Sequence, residues 1–208
     1  MYEPKHVVST TEEIREVLGE VLYSQDTKCI NHIDQHCRTW IEHSTFVVIS
    51  SINQEGQVDV APKGDPAGSW QVLDEHTLAI PDRLGNNRAD TFFNILDNPR
   101  VGLMFVVANR REVVRVSGSA LIVKDPELLA SMAIKGKAPD LAIVVSVEEA
   151  MFHCGKSMIR SNLWNPDKWA SVEGLPTYGQ ALVDHGKLSI SAEDMQAGVE
   201  HNAIESLY

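Results

Sequence analysis

At Thr45 the apolar residues stop recurring at helical spacing and begin to alternate, and this change of period constrains the fold more than any other feature of the chain. FVVISSI and QVDVA read as two strands around the turn NQEG, and WQVL and TLAI as two more around DEH. RVGLMFVV and EVVRVSGSALIV, joined by the turn ANRR, are the longest, and a helix over about 126–134 precedes a further strand, LAIVVSV. At least six strands in hairpin order, with helices between them or at the ends, describe a mainly β fold with peripheral helices, an antiparallel barrel. Strands and crossover helices do not alternate regularly, and neither GxGxxG nor GxxxxGK followed by Ser or Thr occurs, which counts against the doubly wound nucleotide folds.

Ahead of the strands, Thr10 and Glu13 form a capping box that opens a short helix over 9–18, and Gly19 closes it. A second helical stretch, about 33–43, places Ile33, Cys37, Trp40 and Ile41 on one face for packing. At the other end, Met195, Val199, Ala203 and Leu207 follow in i, i+4 steps, a helix expected to dock on the barrel. The expected organisation is a helical segment, 1–44, packed on a barrel of residues 45–165, then a helical extension, 166–208. Together they make one structural domain, for which 208 residues at 43% hydrophobic content supply enough core.

A formal charge of −11 argues against non-specific attraction to nucleic acid or to an anionic membrane surface. No apolar run approaches the length of a bilayer span and no leader pattern opens the sequence, so a soluble cytoplasmic protein is expected. Cys29, Cys37 and Cys154 are odd in number and show no CxxC spacing, which suggests free thiols and no thiolate metal site.

The segment IPDRLGNNRADTFFNILDNP, residues 80–99, reads as a strand that delivers a cationic, amide-bearing loop to the start of a helix. Pro81 and Gly85 break the strand, Asn86 or Asn87 serves as N-cap, and Pro99 forbids continuation of the helix. A helix start offers unpaired N–H groups and the positive end of the dipole, which favour an anion. Arg83 and Arg88 flank it, and with Lys63 they are the local basic exception in an acidic chain. The same residues also describe an ordinary capped helix with solvated arginines.

VDVAPKGDPAG followed by LAIPDRLGNNRADTFFNILDNPRVGLMF resembles the pyridoxamine 5′-phosphate oxidase-like FMN-binding split barrels, in the branch of PPOX-class flavoproteins. EVVRVSGSA and EEAMFHCGKSMIRSNLW agree with that branch in the expected order, and the resemblance covers roughly residues 30–165. It implies an antiparallel FMN-binding split β-barrel and a homodimer with FMN in clefts between the subunits. It implies that Val60, Ala61, Pro62 and Lys63 meet the flavin ring, and that Ile80, Pro81, Asp82, Arg83, Asn86, Asn87 and Arg88 hold the ribityl phosphate. Lys156, Arg160 and Ser161 would approach the cofactor region, where a basic group stabilises the reduced flavin.

The family's B6 oxidases carry a C-terminal Trp followed by an Arg-Leu-His element, which has no counterpart here; Trp164 and Trp169 sit in LWNPDKW instead. The expected activity is that of an FMN-dependent oxidoreductase on a small, unidentified substrate, with no catalytic residue assigned. A non-catalytic flavin- or tetrapyrrole-binding protein is the alternative on the same barrel, and a deazaflavin could replace FMN. His32, His36 and His43 share one helix face but lack an HExxH pattern and read as surface polar residues, so no metal is expected. His153 and Cys154 are adjacent, so their side chains diverge, and His153 reads as a flavin-site or core residue. Trp40 and Trp70 are read as packing residues, while Trp164 is open between packing and covering the flavin.

Overall fold

Alternation of apolar residues, turn by turn, produces the expected strands. The computed structural model describes residues 1–205, 207 and 208. Its strands are β1 (Phe46–Ile52), β2 (Val58–Gly64), β3 (Gln71–Asp74), β4 (Thr77–Pro81), β5 (Arg100–Val106), β6 (Val113–Val123) and β7 (Ala142–His153). They form one sheet in the order β2-β1-β5-β6-β7-β4-β3, antiparallel at every neighbouring pair. The three hairpins read from the sequence, β1–β2, β3–β4 and β5–β6, are all present. β2 and β3 are left as edges, so the barrel is split. Pro62 fits β2 because an edge strand tolerates a residue with no N–H to donate.

The helices are α1 (Thr11–Leu18), α2 (Tyr23–Asp26), α3 (Gln35–His43), α4 (Asp90–Asp97), α5 (Pro126–Ser131), α6 (Lys156–Arg160), α7 (Tyr178–Gly186) and α8 (Ala192–Glu205). Asp34 caps α3 by accepting from the Cys37 N–H at 2.8 Å. The apolar face of α3 joins Val47, Ile49, Phe105, Val114 and Ile143 in the main core. Residues one step along the strands, Ala79 and Ala142, point the other way and meet Leu129 and Met132 from the α5 region in a second, smaller cluster. Trp40 and Trp70 are packing residues in the main core, as read, and the Trp40 indole stands edge-on to Phe152 with ring centroids 5.3 Å apart. Burial pushes the Cys37 thiol up to about 12, with the Asp34 contact adding to it, so this sulfur is an inert core atom.

In β6 the run Ser117-Gly118 carries a bulge against β7. A Cβ on Gly118 would lie 2.0 Å from the Ser146 carbonyl oxygen, so only glycine lets the two longest strands stay paired there.

The two ends of the chain behave differently from the middle. Of the segment 1–44, α3 carries the packing; α1 and α2 bury no residue, although the Thr10 cap of α1 forms as read. At the other end α8 packs along α7, not along the barrel as its apolar seam suggested. The reason is Gly179, whose missing side chain lets α7 approach the Gln196 backbone where a Cβ would stand 2.5 Å away. Met195 and Val199 are half-buried there, while Ala203 stays exposed.

Candidate functional site

The free edge of β2, the loop after β4 and the start of α4 enclose a cleft of about 730 Å³, within the size range of cofactor sites. Because β2 pairs on one side only, its other side offers backbone donors and acceptors to the cleft. Of the residues expected to form the site, Val60, Ala61, Pro62, Lys63, Pro81, Asp82, Arg83, Asn86, Asn87 and Arg88 all line it. Ile80 does not: it is fully buried in the core beneath, since residues alternate along β4. Lys156, Arg160 and Ser161 are on and just after α6, past the end of β7, and are absent from the lining of this cleft.

The helix starts later than the sequence suggested. Neither Asn86 nor Asn87 is its N-cap; that position is Ala89, in left-handed geometry with no capping side chain. Asn86 instead accepts the Arg88 N–H through its side chain at 3.0 Å, and Asn87 is left-handed at φ 58°. The asparagines therefore shape a loop and do not start a helix. With no side-chain cap, the N–H groups of Asp90, Thr91 and Phe92 find no acceptor among the described residues, and all three residues line the cleft. An anion placed there would meet unpaired donors and the positive end of α4.

The charged side chains of the cleft come in pairs. Lys63 Nζ lies 3.5 Å from Asp82, both partly exposed. Arg83 donates through Nε to Asp65 Oδ2 at 2.8 Å and through a terminal nitrogen to the Met132 carbonyl at 2.9 Å. The Asp65 side chain is 1% exposed and that of Arg83 is 16%, so a buried carboxylate meets a mostly covered guanidinium. Arg88 is its opposite: 70% exposed, it donates twice to Asp90, at 2.7 and 3.2 Å, and this partner holds its guanidinium even more firmly protonated than usual. Thr91 donates its hydroxyl to Asp59 at 3.0 Å, tying α4 to β2.

Three cations thus face four carboxylates, Asp59, Asp65, Asp82 and Asp90, around one cleft. Of these, sequence reasoning named only Asp82. The signal was present in the sequence only for Asp90, two residues from Arg88, because Asp65 and Asp59 meet partners 18 and 32 residues away. An anion placed here would be held by aimed donors and not by a net positive field.

Elsewhere the structure disperses the other candidates. Among the described residues no three His, Cys, Asp or Glu side chains are grouped as a metal site, and the His43 ring donates Nδ1–H to the Thr39 carbonyl of its own helix at 2.7 Å. The Trp164 indole donates to the Arg110 carbonyl at 2.7 Å and ties the segment after α6 to the β5–β6 turn. No helix is long and apolar enough to cross a membrane, among the described residues.

Several solved structures are similar to this chain at low identity. HupZ of Group A Streptococcus is 20% identical, with 58% of this chain and 99% of that chain covered and a TM-score of 0.47. An FMN-binding protein from Syntrophomonas wolfei is 13% identical, over 68% of this chain and 95% of that one, with a TM-score of 0.41. HutZ, the heme storage protein of Vibrio cholerae, is 11% identical, over 59% and 94%, with a TM-score of 0.42. Among curated proteins none matches the sequence. The match that decides is to the family described as pyridoxamine 5′-phosphate oxidase, over residues 33–154, which is more than half of the 208 residues and takes in α3, all seven strands and the whole cleft. The chain belongs to the pyridoxamine 5′-phosphate oxidase family.

Proposed function

We propose that the cleft binds FMN and that the protein is an FMN-dependent oxidoreductase acting on a small substrate. The observation that carries this reading is the meeting of a free sheet edge, a cationic loop and the three unpaired N–H groups of α4 in one cleft of about 730 Å³. A phosphate fits the N–H groups, with Arg88 turning from Asp90 to meet it and Lys63 close by on β2. A planar polar ring fits the β2 edge, where Val60, Ala61 and Pro62 would orient it. FMN, when bound, supplies two-electron redox chemistry; the chain supplies the grip on the phosphate and the orientation of the ring.

The same reading includes a homodimer. Val58, Val60, Leu84 and Phe93 are all at least 60% exposed around the cleft, an apolar rim that a second copy would cover. A second copy is also the means by which Lys156, Arg160 and Ser161 would reach the cofactor, since they are away from the cleft of their own chain.

Pyridoxamine phosphate is not the proposed substrate. Its phosphate needs a second set of basic donors near the ring, and residues 169–208 contain Lys187 and no arginine. The purified protein is expected to show a flavin absorption spectrum and to release a molecule with the mass of FMN. Release of a deazaflavin or a tetrapyrrole instead would overturn the cofactor. Flavin-loaded protein that oxidises neither reduced nicotinamides nor small donors above the rate of free FMN would overturn the enzymatic reading.

A further inference from the structure

Asp65 has two oxygens in a buried carboxylate, and Arg83 takes only one of them. The other accepts the Tyr208 hydroxyl at 3.3 Å. The Tyr208 ring lies 5.9 Å from the Arg83 guanidinium and 5.6 Å from Lys135 Nζ, within reach of cation–π attraction for both. Lys137 donates to the Tyr208 carbonyl oxygen. One aromatic side chain from beyond α8 therefore touches the Asp65–Arg83 ion pair that lines the cleft, 143 positions away from Asp65 in sequence.

These contacts stand out because the helical pair has little else to hold it. Among the described residues, the hydrogen bonds joining 170–208 to the rest of the chain run only through Tyr208. Burial, and then the neighbouring Asp65, push the Tyr208 phenol above its ordinary range, so it remains a hydrogen-bond donor at neutral pH and above.

We propose that Tyr208 is a positioning residue for the cleft, clamping the Asp65–Arg83 pair and so coupling ligand binding to docking of the α7–α8 helices. The coupling has a physical route. Removing the ring leaves one buried Asp65 oxygen without a partner and uncovers Arg83, so the loop that Arg83 anchors, which carries Arg88 to the cleft, loses support. Reciprocity then requires that a ligand which fixes this loop through Arg88 also strengthens the seat of Tyr208. The identity of that ligand rests on the FMN reading above.

The experiment uses FMN as probe and the full chain as wild type, Tyr208→Phe and Tyr208→Ala, all three compared well below the lowest of their melting temperatures. FMN affinity is read from quenching of its fluorescence, and docking of residues 170–208 from backbone hydrogen exchange. Tyr208→Ala is expected to weaken FMN by about fivefold or more, the lower end of coupling between sites. FMN is expected to slow exchange across 170–208 in wild type and to leave it unchanged in Tyr208→Ala. Tyr208→Phe keeps the ring and loses the hydroxyl, so it falls between the two. If FMN binds wild type and Tyr208→Ala equally, or binds without slowing exchange in 170–208, the coupling is wrong while the cofactor reading stands. If FMN fails to bind wild type, the cofactor reading falls and the coupling falls with it.

Discussion

Arg83 and Arg88 stand five residues apart in one loop and look alike in sequence, yet they belong to different kinds of structure. Arg83 is mostly covered by Asp65, the Met132 carbonyl and the Tyr208 ring, whereas Arg88 reaches into solvent with Asp90 as its one ion partner among the described residues. A covered arginine with fixed acceptors holds the loop in place. An exposed arginine with an exchangeable partner can move onto a ligand. We propose that the pair divides the work of the site between scaffold and grip, with Arg88 as the residue that meets a phosphate.

The largest effect expected from this contrast is on stability. Arg83→Ala leaves the Asp65 carboxylate buried without its charge partner, a change that costs about 3–5 kcal/mol in comparable sites. Thermal unfolding should record a fall in melting temperature on the order of 10 °C. Replacing Asp65 as well, by the double substitution Arg83→Met with Asp65→Leu, should restore much of the loss. An unchanged melting temperature in Arg83→Ala would place that residue in the ligand grip after all.

Next comes Arg88→Ala, which should leave the melting temperature of the ligand-free protein where it is and weaken FMN by roughly tenfold to a hundredfold. Calorimetric titration of the apo-protein measures it. A smaller, structural effect is expected at Thr91→Val, which removes the hydroxyl donated to Asp59 and should cost about 1 kcal/mol in urea unfolding. The smallest concerns the carboxylate that competes with the ligand for Arg88. Asp90→Asn releases the guanidinium and removes a like charge beside the phosphate, so FMN should bind about two- to fivefold more tightly at low salt, with the gain fading as salt screens it.

The contrast between the arginines also marks where the sequence stopped being legible. Strands were readable because alternation repeats over four to twelve residues and three turns punctuate it, and the cleft was readable because VAPKG ends one of those strands and PDRLGNNR follows another. The start of α4 was not. Asparagine favours both an N-cap and a left-handed turn, and the choice of Ala89 as cap is made by the loop's path between β4 and the Asp59–Thr91 contact. The partner of Arg83 was equally hidden, since Asp65 is 18 residues away and its burial depends on how the chain passes from β2 to Trp70. Tyr208 lies further still, and no periodicity links it to the cleft.

The central claim is that this cleft reads a phosphate through the N–H groups of α4 and Arg88, with a flavin ring along β2. Parallel titration of apo-protein with FMN and with riboflavin, in wild type and in Arg88→Ala, isolates the phosphate because the ring is common to both ligands. Wild type is expected to prefer FMN over riboflavin by at least about tenfold, and Arg88→Ala to lose most of that preference while holding riboflavin as before. Equal affinity of wild type for the two flavins, or an unaltered preference in Arg88→Ala, would contradict the account.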